Sequence, residues 1–110
     1  MLLPHQEQAY IPPAKLLGYL LSETHPIGRA KASFFRMLGF DETNVDELEE
    51  GLLAIAHRDL VVEKVRSAFG TKYVLDGLLS TPTGNRVKVR TVWIIEDGYA
   101  APRFVTAYPD

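Results

Sequence analysis

The stretch from His25 to Phe35 combines an imidazole, a helix-start signal, basic side chains and an aromatic pair. Pro26 suits the first turn of a helix, because no partner for its missing N–H is needed there, and Thr24 is placed to cap that turn. His25 would lie at the helix entrance, where backbone N–H groups converge and anions are favoured. The stretch therefore predicts an anion or phosphate site. The alternative is a structural role, in which His25 stabilises the turn before Pro26.

Two pairs of basic residues could contribute to such a site. Lys88 and Arg90 are two positions apart in a strand-like segment, so they share one face of a sheet. An arginine in the middle of a sheet needs a partner or an anion. Arg29 and Lys31 belong to the helix that follows His25, and the alternative for both is an ordinary solvated side chain.

A hydroxyl pair, Thr106 and Tyr108, shares one face of the last strand. Whether this is the face that carries Arg90 depends on the register set by the loop from Asp97 to Ala101. A shift of one residue would exchange the two faces, so both arrangements stay open from the sequence alone.

Hydrophobic periodicity predicts three helices followed by four strands. The first helix begins at Pro13, the second runs from about Pro26 to Leu38, and the third is capped by Thr43 or Asn44. The strands are predicted at Leu60–Ala68, Lys72–Leu79, Arg86–Glu96 and Pro102–Tyr108. For Leu60–Ala68 the alternative is an extension of the third helix, because Leu60, Lys64 and Ser67 also fit a helical spacing.

Details of packing follow from the same pattern. Ala30, Phe34 and Met37 or Leu38 recur at helical spacing and are predicted to face the core. Gly39 is predicted to end that helix, Gly77 to form a bulge in the second strand, and Trp93 to be buried.

The predicted fold class is α+β, with three N-terminal helices packed on one face of a four-stranded antiparallel meander. Residues 1–110 are expected to form one domain. Two alternatives are open for the N-terminal segment of this domain. Either residues 1–9 form a flexible tail, or the segment is an edge segment that closes onto the fold at Tyr10 and Ile11.

Composition limits the function classes. The net charge of −2 and the isoelectric point of about 5.9 give no global signal for nucleic-acid or membrane binding, so an RNA site would need a local basic patch. The chain has no cysteine, no apolar run as long as a membrane span and no evident signal peptide, which predicts a cytoplasmic protein. No metal site is expected, because no His-x-x-x-His spacing occurs, and no cofactor is expected.

The motifs as a set resemble an uncharacterised family of small bacterial, cyanobacterial-type proteins that also occur as domains of toxin-like chains. They are His25-Pro-x-Gly-Arg-x-Lys-Ala-x-Phe-Phe35, Gly70-x-Lys-Tyr73, Arg90-Thr-Val-Trp-Ile-Ile95 and Val105-Thr-Ala-Tyr-Pro109. More distantly, helices followed by a sheet that ends in Val-Thr-Ala-Tyr-Pro resemble the fold of barnase, EndoU, the colicin tRNases and RelE.

This resemblance implies a metal-independent ribonuclease of a toxin–antitoxin or polymorphic-toxin system, with RNA as substrate and an antitoxin or immunity protein as partner. By position it implies His25 as the helix histidine, Lys31 or Arg90 as the basic residue, and Thr106 with Tyr108 as the last-strand pair. Arg29 and Lys88 are further candidates for binding the substrate. The paired histidines of EndoU are missing here. The second hypothesis is a non-catalytic module that binds a protein through an exposed sheet edge or the Lys88/Arg90 face. The sequence does not indicate an oligomeric state.

Overall fold

The fold is taken from a computed structural model that describes residues 1–110. Three helical segments precede a four-stranded antiparallel sheet, which confirms the predicted α+β class. A 3₁₀ turn at Gln6–Gln8 comes first. The helices are α1, an α-helical turn at Pro13–Lys15 that continues as a π-helix over Leu16–Leu20; α2, Arg29–Met37; and α3, Val45–Arg58. The strands are β1, Val61–Arg66; β2, Gly70–Ser80; β3, Arg86–Glu96; and β4, Arg103–Pro109.

The sheet is a meander in the order β1-β2-β3-β4. The register between β2 and β3 is regular along the whole length of both strands, and Gly77 pairs directly with Val89. The predicted bulge at Gly77 is therefore wrong. The irregularities lie instead between Val61 and Glu63, where β1 meets β2, and between Val92 and Trp93, where β3 meets β4.

The core contains the aromatic residues Phe35, Trp93 and Phe104, none of which is exposed. Burial of Trp93 is as predicted, and its polar N–H is satisfied, because Nε1 donates to Oγ1 of Thr91 at 2.9 Å. That hydroxyl in turn donates to the carbonyl oxygen of Leu75 at 2.9 Å. The indole N–H of Trp93 and the hydroxyl of Thr91 are thus both paired, as burial requires.

Helix α2 differs from its prediction in its start and its buried face. It begins at Arg29, because the residues before it form a turn rather than a first helical turn. Its buried residues are Ala32 and Phe35, whereas Met37 is 81% exposed and Ala30 also faces solvent. The prediction that Ala30 and Met37 face the core is therefore wrong, whereas Phe34 and Leu38 pack against the core as predicted. The helix ends as expected at Gly39, with φ of 104°.

The N-terminal residues pack on the fold. Leu3 is 2% exposed and belongs to the main core, while Leu2 forms an antiparallel bridge with Leu60. Further along, Tyr10 bridges Arg103 at the start of β4, as expected for an edge segment that closes at this point. The segment is therefore held at both of its ends rather than extended into solvent.

None of the helices has the length and apolar character needed to cross a membrane.

Candidate functional site

Tyr19, at the end of α1, connects most of the predicted site residues. Its hydroxyl is hydrogen bonded to Oγ1 of Thr106 at 2.9 Å, and the ring of His25 stands edge-on to its ring at 5.2 Å between centroids. The ammonium groups of Lys15 and Lys31 lie 4.8 and 5.6 Å from the centre of the same ring. All five side chains are half-buried. We call these five residues the Tyr19 cluster.

Two features of the helices hold Tyr19 in this position. The π-helix that carries it is fixed by its buried leucines, Leu16 and Leu20. Gly28 then packs directly on the backbone of Tyr19, so closely that a Cβ atom at Gly28 would overlap the Tyr19 carbonyl oxygen. Glycine is needed here because two backbone segments approach each other.

His25 is fixed by the turn that leads into α2. Its Nδ1 accepts hydrogen bonds from the backbone N–H groups of Ile27 and Gly28, both at 3.0 Å. Thr24, predicted as the cap, does not act as one; Ser22 accepts the N–H of His25 instead, at 3.1 Å. Because Nδ1 is an acceptor, the ring proton lies on Nε2. The N–H groups of this turn are thus occupied by the imidazole, and the group left to meet a ligand is Nε2–H.

The Tyr19 cluster consists mainly of cations and hydrogen-bond donors. Neither Lys15 nor Lys31 forms an ion pair, since the ion pairs of the chain all involve arginine. The cluster adds the Nε2–H of His25 and two hydroxyls that share one hydrogen bond. Uncompensated cations beside O–H and N–H donors suit an anionic ligand such as a phosphate.

Arg90 lies in a separate cluster, with carboxylates as partners. Its guanidinium donates to both carboxylate oxygens of Asp76, at 2.7 and 2.9 Å, and lies 3.8 Å from the carboxylate of Asp110. The hydrogen bonds from Arg90 lower the pKa of Asp76, and those to Asp76 raise the pKa of Arg90. Arg90 thus has a protein partner, and no contact joins it to His25 or Lys31.

The register between β3 and β4 shows whether Thr106 and Tyr108 lie on the same face of the sheet as Arg90. Tyr108 pairs with Arg90, and Thr106 pairs with Val92. Strand alternation therefore places Thr106 and Tyr108 on the face of the sheet that carries Arg90. Lys88, exposed and paired with Leu78, continues the same face.

The largest pocket lies outside both clusters. It has a volume of about 640 Å³ and is lined on the outer side of α2 by Glu23, Arg29, Ala30, Ser33, Arg36 and Met37. Arg36 is paired there with Glu23 and Glu42, and its hydrogen bond lowers the pKa of Glu42 to about 2. Arg29 forms no ion pair and is exposed in this pocket, away from His25 and Lys31. The pocket is thus lined by both acidic and basic side chains.

Two members of the Tyr19 cluster were not predicted. Tyr19 lies among leucines in an apolar stripe, and Lys15 belongs to no motif. Two signals could have found them. A tyrosine at the edge of a core brings a hydroxyl that needs a partner, and Lys15 is four positions before Tyr19, on the same side of a helix.

The structure is thus an α+β fold. Two hydroxyls, two lysines and one histidine meet where α1 and the turn before α2 contact β4. The chain belongs to the family described as a domain of unknown function, DUF6883, which matches residues 2–110. A search of curated proteins gave no match.

The fold is also similar to that of a solved chain, from the "Contact-dependent growth inhibition toxin - immunity protein complex from Klebsiella pneumoniae 342". The TM-score is 0.73, the sequence identity is 18%, and the similarity covers 96% of each chain. At this identity the likeness establishes a shared fold.

Proposed function

We propose that the protein is a metal-independent endoribonuclease of a toxin–antitoxin or toxin–immunity system, with the Tyr19 cluster as its active site. One observation carries the proposal: the hydrogen bond between Tyr19 and Thr106, which brings the hydroxyl of β4 to the half-buried side chains of His25 and Lys31. These residues come from separate parts of the sequence, and each keeps part of its surface exposed.

Three residues of the cluster have roles that follow from their chemistry. In RNA cleavage the 2′-oxygen forms a bond to phosphorus as the bond from phosphorus to the 5′-oxygen breaks; water takes the proton of the 2′-hydroxyl and returns one to the 5′-oxygen. The negative charge of the phosphorane between these states must be stabilised. Lys15 and Lys31 would bind the phosphate oxygens as cations, and the Nε2–H of His25 would donate to one of them. Because Nδ1 of His25 is held by two backbone N–H groups, we assign His25 to charge stabilisation rather than to proton abstraction.

The neighbouring sheet face would extend this site. Val89, Thr91 and Trp93 are buried, whereas the intervening Arg90 is half-buried. We infer that the helices cover the face with Thr91 and Trp93 and leave Arg90, with its partner Asp76, on the opposite face. On that face Tyr108, two residues beyond Thr106, would contact the substrate together with Arg90, and Lys88 would bind the flanking backbone; Arg29 would do so from the helix side.

The fold likeness supports the proposed biological setting. The similar solved chain comes from a complex of a growth-inhibition toxin with an immunity protein. A ribonuclease of this kind would need a protein partner that blocks its site in the producing cell, and we expect that partner to cover the Tyr19 cluster.

The test is cleavage of tRNA and total RNA by purified protein in excess chelator, with two substitutions of His25. His25→Asn keeps an acceptor for the turn N–H groups but removes the Nε2–H donor, whereas His25→Ala removes both. We expect both variants to lose about 10²–10³-fold in cleavage rate, as for loss of one donor to a transition-state oxyanion, and only His25→Ala to lose stability as well.

His57→Gln is the matched control, because His57 is an exposed histidine at the end of α3. It should cleave at the wild-type rate. Wild-type activity in His25→Asn would limit His25 to stabilising the turn. Absence of cleavage by the wild-type protein, with every RNA, would remove the ribonuclease proposal.

A non-catalytic protein-binding module is the second candidate, and one observation favours it. Strand β1 is an outer strand of the sheet and its residues from Val62 to Arg66 are all exposed. Binding of a protein without any cleavage of RNA would support this candidate over the first.

A further inference from the structure

The outer edge of β1 is open along part of its length. Ser67 donates its N–H to Gly70 at the end of the β1–β2 hairpin, at 2.8 Å. Since bonded and non-bonded pairs alternate in an antiparallel ladder, the backbone groups of Lys64 and Arg66 point away from β2. These outward N–H and C=O groups lie between exposed apolar side chains, with Val65 43% and Phe69 77% exposed.

The beginning of the same edge is already occupied by a strand-like segment of this chain. Val61 donates its N–H to the carbonyl oxygen of Met1 at 2.8 Å, and Leu2 bridges Leu60 in the antiparallel sense. The edge of β1 thus accepts an antiparallel segment at one end and is free at the other.

A second copy of β1 is a poor occupant of this edge. Two-fold symmetric antiparallel strands must place a residue opposite its own copy, because the symmetry axis passes through the centre of a pair. Over the open stretch the axis can pass through the pair at Lys64, Val65 or Arg66. These registers place Lys64 opposite Lys64, Lys64 opposite Arg66, or Arg66 opposite Arg66. All three oppose like charges, which destabilises the pairing.

We propose that the open edge of β1 binds an extended acidic segment of a second protein as an added antiparallel strand. Lys64 forms no ion pair and selects a carboxylate of that segment. Arg66, on the same face, already donates to both carboxylate oxygens of Asp97, at 2.7 and 2.6 Å. The next residue of the segment is apolar and lies beside Val65. Phe69 adds apolar contact beyond the end of the strand. This surface shares no residue with the Tyr19 cluster, so it does not depend on the proposed ribonuclease activity.

The probe is a synthetic eight-residue peptide that alternates glutamate with valine. By NMR, we expect the amide protons of Lys64 and Arg66 to exchange at least about tenfold more slowly with peptide bound, and the amide of Val65, which faces β2, to change little. A peptide with lysine in place of glutamate should not bind. A dissociation constant weaker than about 1 mM for the acidic peptide would overturn the proposal.

Methylated peptides test the strand geometry itself. In the added strand the glutamate N–H groups face β1 and the valine N–H groups face away, so N-methylation of the glutamates should abolish binding and N-methylation of the valines should not. Equal binding by both peptides would contradict strand addition.

The matched protein variants are Lys64→Pro and Lys64→Ala. Both remove the ammonium group, but only proline removes the outward N–H, and proline is tolerated on an edge strand. Lys64→Pro should bind the peptide at least about tenfold more weakly than Lys64→Ala; equal affinity would overturn the proposal. Protection of Lys64 and Arg66 that rises with protein concentration, without peptide, would show self-pairing and overturn it as well. Cleavage of RNA should be unchanged in both variants if the Tyr19 cluster is active.

Discussion

At the scale of single residues, Tyr19 has three kinds of contact on one ring. Its hydroxyl pairs with Thr106, its ring is nearly perpendicular to that of His25, and the ammonium groups of Lys15 and Lys31 lie over the ring. An aromatic ring can hold cations in this way without a carboxylate, which would neutralise them. The ring thus keeps two lysines near the hydroxyl pair with their charge available to an anion.

The Tyr19–Thr106 hydrogen bond should be measurable as a coupling. Tyr19→Phe and Thr106→Val each remove one hydroxyl, and each is expected to lower the free energy of unfolding by about 1 kcal/mol. The double variant should lose less than the sum, with a coupling of about 0.5–1.5 kcal/mol, when all four proteins are compared in urea. Additive losses would mean that the two hydroxyls do not interact in solution.

The Asp76–Arg90 pair should make stability depend on pH in the acid range. Because the pKa of Asp76 is lower in the folded chain, its contribution is fully present above the unfolded value of about 3.9 and is lost as the pH falls through the folded value. Asp76→Asn should therefore flatten the fall of the unfolding free energy below about pH 4. Urea unfolding over a pH series measures this, and an unchanged slope in the variant would be evidence against the pair.

At the scale of elements, the site depends on how closely α1 meets the turn before α2. The π-helix places Tyr19 at the surface of the fold while Leu20 and Leu21 are fully buried. Single π-helical turns often occur at functional sites, since the extra residue redirects a side chain. The turn with Gly28 then brings His25 against that ring.

Two glycine substitutions separate this contact from general helix effects. Gly28→Ala would force its Cβ into the Tyr19 carbonyl and should lower the free energy of unfolding by about 1–3 kcal/mol. Gly18→Ala is the control, because a Cβ there lies 3.9 Å from the Cβ of Ala14, an ordinary contact. It should raise stability by up to about 1 kcal/mol. Thermal unfolding of the two variants makes the comparison, and equal effects would contradict the close approach.

At the scale of the whole molecule, the N-terminal segment closes the fold. Leu3 enters the main core, and Met1 and Leu2 cover the beginning of the β1 edge. This segment therefore contributes to stability and also determines how much of that edge remains open to a partner.

Leu3→Ala and Leu2→Ala test this closure with the same chemical change. Leu3 is buried, so truncation should cost about 2–5 kcal/mol, as for other buried leucines. Leu2 is 45% exposed, and its truncation should change stability by no more than about 0.5 kcal/mol. Urea denaturation measures both. A small loss in Leu3→Ala would mean that the segment detaches in solution.

Local patterns in the sequence were sufficient for the order of elements. Strand β3 was predicted with its observed bounds, Arg86–Glu96, because alternation followed by an apolar run is a signal within the strand itself. The end of α2 at Gly39 was equally local, since only a residue that tolerates positive φ suits that position. The alternative role of His25, stabilising the turn before Pro26, was also a local signal. Its Nδ1 accepts the N–H groups of Ile27 and Gly28, so the contacts lie within the four residues from His25 to Gly28.

The composition of the site was decided by the tertiary structure. Sequence spacing gave His25, Lys31 and Thr106 as candidates, but it could not give Tyr19 as the residue they share, nor Asp76 as the partner of Arg90. The physical reason is that the buried face of a helix is determined by the elements that pack against it. In and just before α2 that face consists of Gly28, Ala32 and Phe35. Strand pairing likewise joins residues far apart in the chain. Contacts of this kind depend on distant segments, and a local pattern carries no information about them.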